Sequence, residues 1–145
     1  MKLSNASRYA LLALIELATH YPSGESLQIR QIAALQDIPD RYLEQILATL
    51  RRCRLIKGIR GAHGGYILAR EASQITLLDA IGCVEGLDTV AAVSAGDPKT
   101  VDSDVVEEIW QEASEAVNSV LQKYTLQDLC ERRAARQPKA YMYYI

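Results

Sequence analysis

The sequence predicts a mainly α-helical fold carrying one small β-hairpin, and three observations lead there. Apolar residues recur at helical spacing through most of the 145 residues. Ser4, Pro39, Thr76 and Thr125 each stand at the head of such a run, where capping or first-turn residues belong. Residues 55–69 alone set two β-prone runs around a glycine-rich tip.

A first helix is predicted from Ser4 or Asn5 to about His20, with Ala10, Leu11, Leu14, Ile15 and Ala18 inward; Tyr21-Pro22-Ser23-Gly24 stops it. A second, capped by Ser26, carries Ile29, Ile32, Ala33 and Leu35 on its apolar side. The turn Gln36-Asp37-Ile38 leads to a third helix from about Pro39 to Arg52. It turns Tyr42, Leu43, Ile46, Leu47 and Leu50 inward and Arg41, Glu44, Gln45, Ala48 and Arg52 outward.

The hairpin follows, as Leu55–Ile59, the tip Arg60–Gly65, and Tyr66–Ala69. Thr76 caps a short helix bearing Leu77, Leu78 and Ile81. Residues 82–99, rich in small side chains, have weak periodicity and read as a loop. From about Val101 to Tyr124 a long helix places Val106, Trp110, Ala113, Val117, Val120 and Tyr124 at alternating spacings of four and three, the pattern of a helix–helix seam. Val105, Ile109 and Ala116 widen it. Thr125 with Asp128 starts a last helix to about Arg133, and the tail from Ala140 to Ile145 is apolar.

A hydrophobic share of 49% with 23% charged residues is that of a globular protein rather than a disordered one. The length suits one core with an added oligomerisation element. The net charge of −2 conceals an asymmetry: residues 1–70 hold ten basic and five acidic side chains, and the remainder six and thirteen, so the first part carries +5 and the second −7. The basic charge is therefore concentrated where a polyanion-binding face can use it.

Two short helices, a tight turn and a glycine-tipped hairpin form the order of a winged helix-turn-helix, in which a helix enters the DNA major groove and the wing reaches the neighbouring backbone or minor groove. On this reading Arg41, Glu44, Gln45 and Ala48 face base edges. Arg51, Arg52, Arg54 and Lys57 neutralise phosphates, Arg60 enters a minor groove, Gly61 lets the backbone approach, and His63 meets solvent or phosphate. Val106, Ile109, Trp110, Ala113, Val117 and Val120 are the candidate dimer interface.

The expected organisation is a DNA-binding unit over residues 1–82, a linker over 83–100, a dimerisation helix over 101–124, and a C-terminal helix and tail packing on the dimer over 125–145. The apolar run Tyr9–Ala18 has the outline of a secretory leader, but Glu16 interrupts it and it is too short to span a bilayer, so a cytoplasmic protein without membrane contact is expected. With no Walker motif, HExxH or nucleophile elbow, no enzymatic activity is expected.

The strings Ser7-Arg8-Tyr9-Ala10, Tyr42-Leu43-Glu44-Gln45-Ile46-Leu47 with Leu50-Arg51, and Arg60-Gly61-Ala62-His63-Gly64-Gly65-Tyr66 resemble the Rrf2 family of bacterial regulators over nearly the entire chain. The resemblance implies a homodimer joined through the long helix and binding a palindromic or pseudo-palindromic double-stranded operator, and the expected function is that of a repressor. Arg41, Glu44, Gln45 and Arg60, with Gly61 in the wing, match the family's DNA-contacting positions.

Iron–sulfur members of that family carry three clustered cysteines between the wing and the long helix, where this chain has only Cys83. Cys53 and Cys130 fall at the end of the third helix and in the last helix, where they read as small buried hydrophobes; the three cysteines do not form a disulfide framework. No cofactor or metal site is therefore expected. The expected effector is a small molecule or partner protein at the 82–99 loop, or oxidation of Cys83. Two other readings stand beside this one: an iron–sulfur or thiol redox-sensing regulator using Cys83 with unusual partners, and a winged-helix module that binds protein.

Overall fold

The computed structural model describes residues 2–86 and 100–137. Its elements are α1 (Asn5–His20), α2 (Ile29–Gln36), α3 (Asp40–Arg52), β1 (Ile56–Ile59), β2 (Gly65–Leu68), α4 (Leu77–Glu85), α5 (Val101–Lys123) and α6 (Leu126–Arg136), with short 3-10 turns at Tyr21–Ser23 and Ala72–Gln74. The strands pair antiparallel, Ile56 opposite Leu68 and Ile59 opposite Gly65.

Helix starts follow the capping residues. Ser4 accepts the Ser7 amide at 3.1 Å. Thr76 and Thr125 form reciprocal boxes with Asp79 and Asp128, each carboxylate accepting the amide of its own cap residue. Such a cap contributes about 0.5–2 kcal/mol relative to alanine. At α2 the expectation fails: Gln28, boxed with Gln31, is the cap, and Ser26 instead donates its hydroxyl to the His63 carbonyl at 2.7 Å, tying the wing to the segment before α2.

One core joins α1, α2, α3, α4, the hairpin and α6. Ala10, Ala13, Leu14 and Leu17 of α1 meet Leu43, Leu47 and Leu50 of α3, with Ile56, Leu68, Ile75, Ala80 and Leu126 completing it. Two inward assignments are corrected. Tyr42 and Leu35 are 56% and 57% exposed, because each lies at the edge of its helix's apolar arc while the neighbouring core positions, Leu43 and Ile46 on α3 and Ile32 and Ala33 on α2, fill the interior.

The C-terminal helix returns to this core. The Leu77 amide donates to the Tyr124 carbonyl and the Leu126 amide to the Ile75 carbonyl, both at 2.9 Å, and α6 packs against α1. Buried Glu16 accepts from Gln36 Nε2 at 2.6 Å and from Arg133 Nη1 at 2.9 Å, so one carboxylate joins α1, α2 and α6. At the other end of α1, Glu85 accepts from the Ser4 and Ser7 hydroxyls, which hold its carboxyl below the usual carboxylate range.

α4 extends to Glu85, so the expected boundary at residue 82 falls inside a helix. Most of the expected linker, residues 87–99, and the tail, 138–145, lie outside the described residues.

Candidate nucleic-acid interface

The turn between α2 and α3 is set by Asp37, whose left-handed φ of 53° redirects the chain into α3. With Leu43, Ile46, Leu47 and Leu50 buried, the outer face of α3 is fixed by elimination: Arg41, Glu44 and Gln45 are exposed, and Ala48 is half-buried beside them. Thr49 donates to the Gln45 carbonyl at 3.0 Å and accepts Arg52 Nη2 at 3.2 Å, which holds that guanidinium on the helix surface. Arg51, Arg52, Arg54 and Lys57 are all exposed where α3 passes into β1, and Arg54 has φ 62°.

The wing is held by backbone. Leu27 and Tyr66 exchange amide hydrogen bonds of 2.9 and 2.7 Å, and the Gly64 amide donates to the Gly61 carbonyl at 2.9 Å. Gly61, at φ 112°, turns the tip beside exposed Arg60, and His63 is exposed. A cleft of about 530 Å³ runs between α3 and the hairpin, lined by Arg51, Gly58, Ile59, Arg60, Gly65 and Tyr66. Guanidinium groups from helix and wing thus share one groove, an arrangement suited to a phosphate backbone.

Gly65 permits the close approach, since a Cβ there would lie 2.5 Å from the Leu27 carbonyl oxygen and 2.6 Å from its carbon. Neither backbone atom can move aside. Gly65→Ala is expected to cost about 1–3 kcal/mol, as overpacking does, measured as a lower denaturation midpoint. It should also loosen the wing, read as faster exchange of the Leu27 and Tyr66 amides.

Tyr42 is the surface residue that sequence reasoning missed. Its ring lies exposed beside Gln45, where Asn5, Ala6, Tyr9 and Ile46 line a hollow of about 400 Å³ with them. The signal was its place three residues before Gln45, on the same flank.

The long helix is almost bare. Among the 23 residues of α5, Ser114 alone is buried. Val106 is 69%, Ile109 61%, Trp110 58% and Val120 54% exposed; Ala113 is exposed and Val117 half-buried. The seam positions therefore form an apolar stripe that the described part of the chain does not cover.

The cysteines depart from expectation. Cys53, the exposed C-cap of α3, is disulfide-bonded to half-buried Cys83 on α4, with Cα atoms 6.1 Å apart. Cys53 is thus no buried hydrophobe, and the chain does hold a disulfide. Cys130 is the free thiol; its Sγ lies 3.8 Å from the Ile15 carbonyl, and burial pushes its pKa up.

A recognition helix, a docked wing and a shared basic groove define a winged helix-turn-helix DNA-binding protein. A family model described as Rrf2, iron-dependent transcriptional regulator, matches residues 3–132, and the chain belongs to that family. It is 37% identical to the HTH-type transcriptional regulator CymR of Bacillus subtilis over all of both chains. Among solved structures it is similar to T. potens IscR, with TM-score 0.79 and 33% identity, covering 99% of this chain and 97% of that one. The structure of B. subtilis CymR, the global cysteine regulator, gives TM-score 0.78 and 34% identity over 91% and 98%.

The family description implies iron, and the residues here do not fit an iron centre of the cysteine-ligated kind. Such a centre needs several thiolates at one place. All three cysteines and both histidines lie within the described residues. Two of the cysteines are joined to each other, the third is disfavoured as a thiolate, and no group of three His, Cys, Asp or Glu comes together among the described residues. Among those residues no helix is long and apolar enough to cross a membrane.

Proposed function

We propose that the protein is a cytoplasmic, homodimeric repressor that reads a palindromic operator with α3 and grips its backbone with the wing, and that it is not an enzyme. The observation that carries this reading is the exposure of Arg41, Glu44, Gln45, Arg51 and Arg52 on α3 and of Arg54 just beyond it, with Arg51 and Arg60 lining one cleft between helix and wing. Arg41 donates to guanine, Gln45 pairs with adenine and Glu44 accepts from cytosine; Tyr42 adds a contact at the flank of the helix. Arg51, Arg52, Arg54, Lys57 and Arg60, with His63 and the Gly61 backbone at the tip, neutralise phosphates. The α5 stripe of Val106, Ile109, Trp110, Ala113, Val117 and Val120 pairs two copies. DNA binding in this reading requires no iron–sulfur cluster.

Binding to genomic fragments measured across a range of salt concentrations tests the reading. A steep fall of affinity with salt is expected, and a shallow one would favour the protein-binding module instead. Arg60→Ala should weaken specific and unrelated duplexes by similar factors and flatten the salt slope by roughly one per wing. Affinity unchanged at moderate salt would remove Arg60 from the interface. Glu44→Ala should alter base preference more than total affinity, because a carboxylate near phosphates repels them and contributes only by accepting from a base. Sequencing of duplexes selected by the variant is the readout, and an unaltered preference with uniformly lower affinity would count against Glu44 as a reader.

A second reading, thiol-based regulation, is favoured by the Cys53–Cys83 bond.

A further inference from the structure

We propose that Cys53 and Cys83 are a reversible thiol–disulfide site for hydroperoxides, and that closing it locks the recognition helix to α4 and strengthens operator binding; this rests on the DNA-binding reading. Cys53 caps α3 on the exposed surface, while Cys83 is half-buried on α4 with its Sγ 3.5 Å from the Thr49 carbonyl. An oxidant therefore reaches Cys53 first, and Cys83 is the resolving thiol. Arg51, Arg52 and Arg54 adjoin Cys53 in the chain and are exposed with it, a basic setting of the kind in which reactive cysteines are found. Cα atoms 6.1 Å apart lie within the range a disulfide spans without moving the backbone, so the pair closes on the fold as it stands.

The chemistry balances with one hydroperoxide. The Cys53 thiolate attacks the peroxide O–O bond, taking one oxygen as sulfenic acid and releasing an alkoxide, which is protonated to the alcohol, or to water from hydrogen peroxide. The Cys83 thiol then attacks the Cys53 sulfur, the S–S bond forms, and the hydroxyl leaves with the thiol proton as water. Two thiols have lost two electrons and two protons, and a dithiol reductant returns them. A DNA-binding regulator works in a thiol-reducing compartment, where a disulfide of this kind is transient rather than architectural.

The consequence lies in what the bond connects. Cys53 is followed by Arg54 at φ 62°, a left-handed turn that redirects the chain from the recognition helix to the wing. α4 contacts α5, the bare helix with the apolar stripe. The bond thus fixes the end of the reading helix relative to the element that sets its spacing from the second copy. Pre-organisation of that relationship reduces what binding must order.

The test uses the full chain, reduced with dithiothreitol and then treated with hydrogen peroxide. Intact mass should fall by two hydrogen atoms, peptide mapping should join Cys53 to Cys83 within one chain, and Cys130 should still titrate as a thiol. Against a duplex enriched from a random-sequence pool by the wild-type protein, the oxidised form should bind about five-fold more tightly than the reduced form. Cys53→Ser and Cys83→Ser should each abolish that difference and Cys130→Ser should preserve it. Free thiols at Cys53 and Cys83 after peroxide, or equal or weaker binding by the bonded form, would overturn the proposal. Bond formation with salt-insensitive, negligible duplex binding in both states would overturn the DNA-binding reading, and with it the regulatory half of the switch, while the thiol chemistry survived.

Discussion

Trp110→Asp is expected to turn the protein from dimer to monomer in sedimentation at micromolar concentration and to weaken operator binding by about 10²–10⁴-fold. The stripe on α5 has no cover in the described part of the chain, and Trp110 is its largest side chain, 58% exposed. A two-fold axis would bring this side chain into the interface twice, so one substitution buries two unpaired carboxylates. Loss of the dimer removes the linkage that makes the second half-site an intramolecular event, which is where the affinity factor comes from. Because Trp110 makes little contact with its own core, the variant should keep its helical signal. Val117→Asp is the weaker probe: Val117 is half-buried, and its loss confounds folding with assembly. A Trp110→Asp protein that sediments as a dimer would show that the stripe is not the interface.

Patterns that repeat within one element were legible in the sequence. The α1 stop, the hairpin, the Thr76 and Thr125 caps, and Leu43, Ile46, Leu47 and Leu50 of the α3 apolar face all rest on short local signals, and the structure places them as read. Assignments that depend on a second element were not. Ser26 looked like a cap because nothing in its neighbourhood showed that the His63 carbonyl, 37 positions away, would take its hydroxyl. Tyr42 and Leu35 satisfied a helical period yet sit at the rim, since the width of a buried arc is set by the facing helix rather than by the helix itself. The Cys53–Cys83 bond spans 30 residues and arises from the register of α3 against α4, which no local pattern encodes. The buried face of α1 was likewise visible through Leu14 and Ala18, whereas the role of Glu16 within it was not.

Arg133→Leu is expected to destabilise the protein by about 3 kcal/mol, lowering its thermal midpoint by about 10 °C. The Glu16 side chain is 8% exposed and Arg133 29%, so water screens the pair only partly. Without the guanidinium, Glu16 keeps among the described residues the neutral donor Gln36 inside the contact between α1 and α6. Thr19 also loses the 3.2 Å bond from Arg133 Nη2. A carboxylate stranded in this way costs far more than the pair itself contributes, because most of the penalty is uncompensated desolvation. The double variant Glu16→Leu/Arg133→Leu should therefore recover to within about 1 kcal/mol of the wild type, since two apolar side chains of similar size can occupy the same contact without a charge to satisfy. Urea denaturation of the wild type, both single variants and the double variant gives the coupling directly, provided the slopes agree. An Arg133→Leu protein as stable as the wild type would place the pair among screened surface contacts worth under about 1 kcal/mol, and the apolar packing of Leu126, Leu129 and Cys130 on the core would then hold α6 in place.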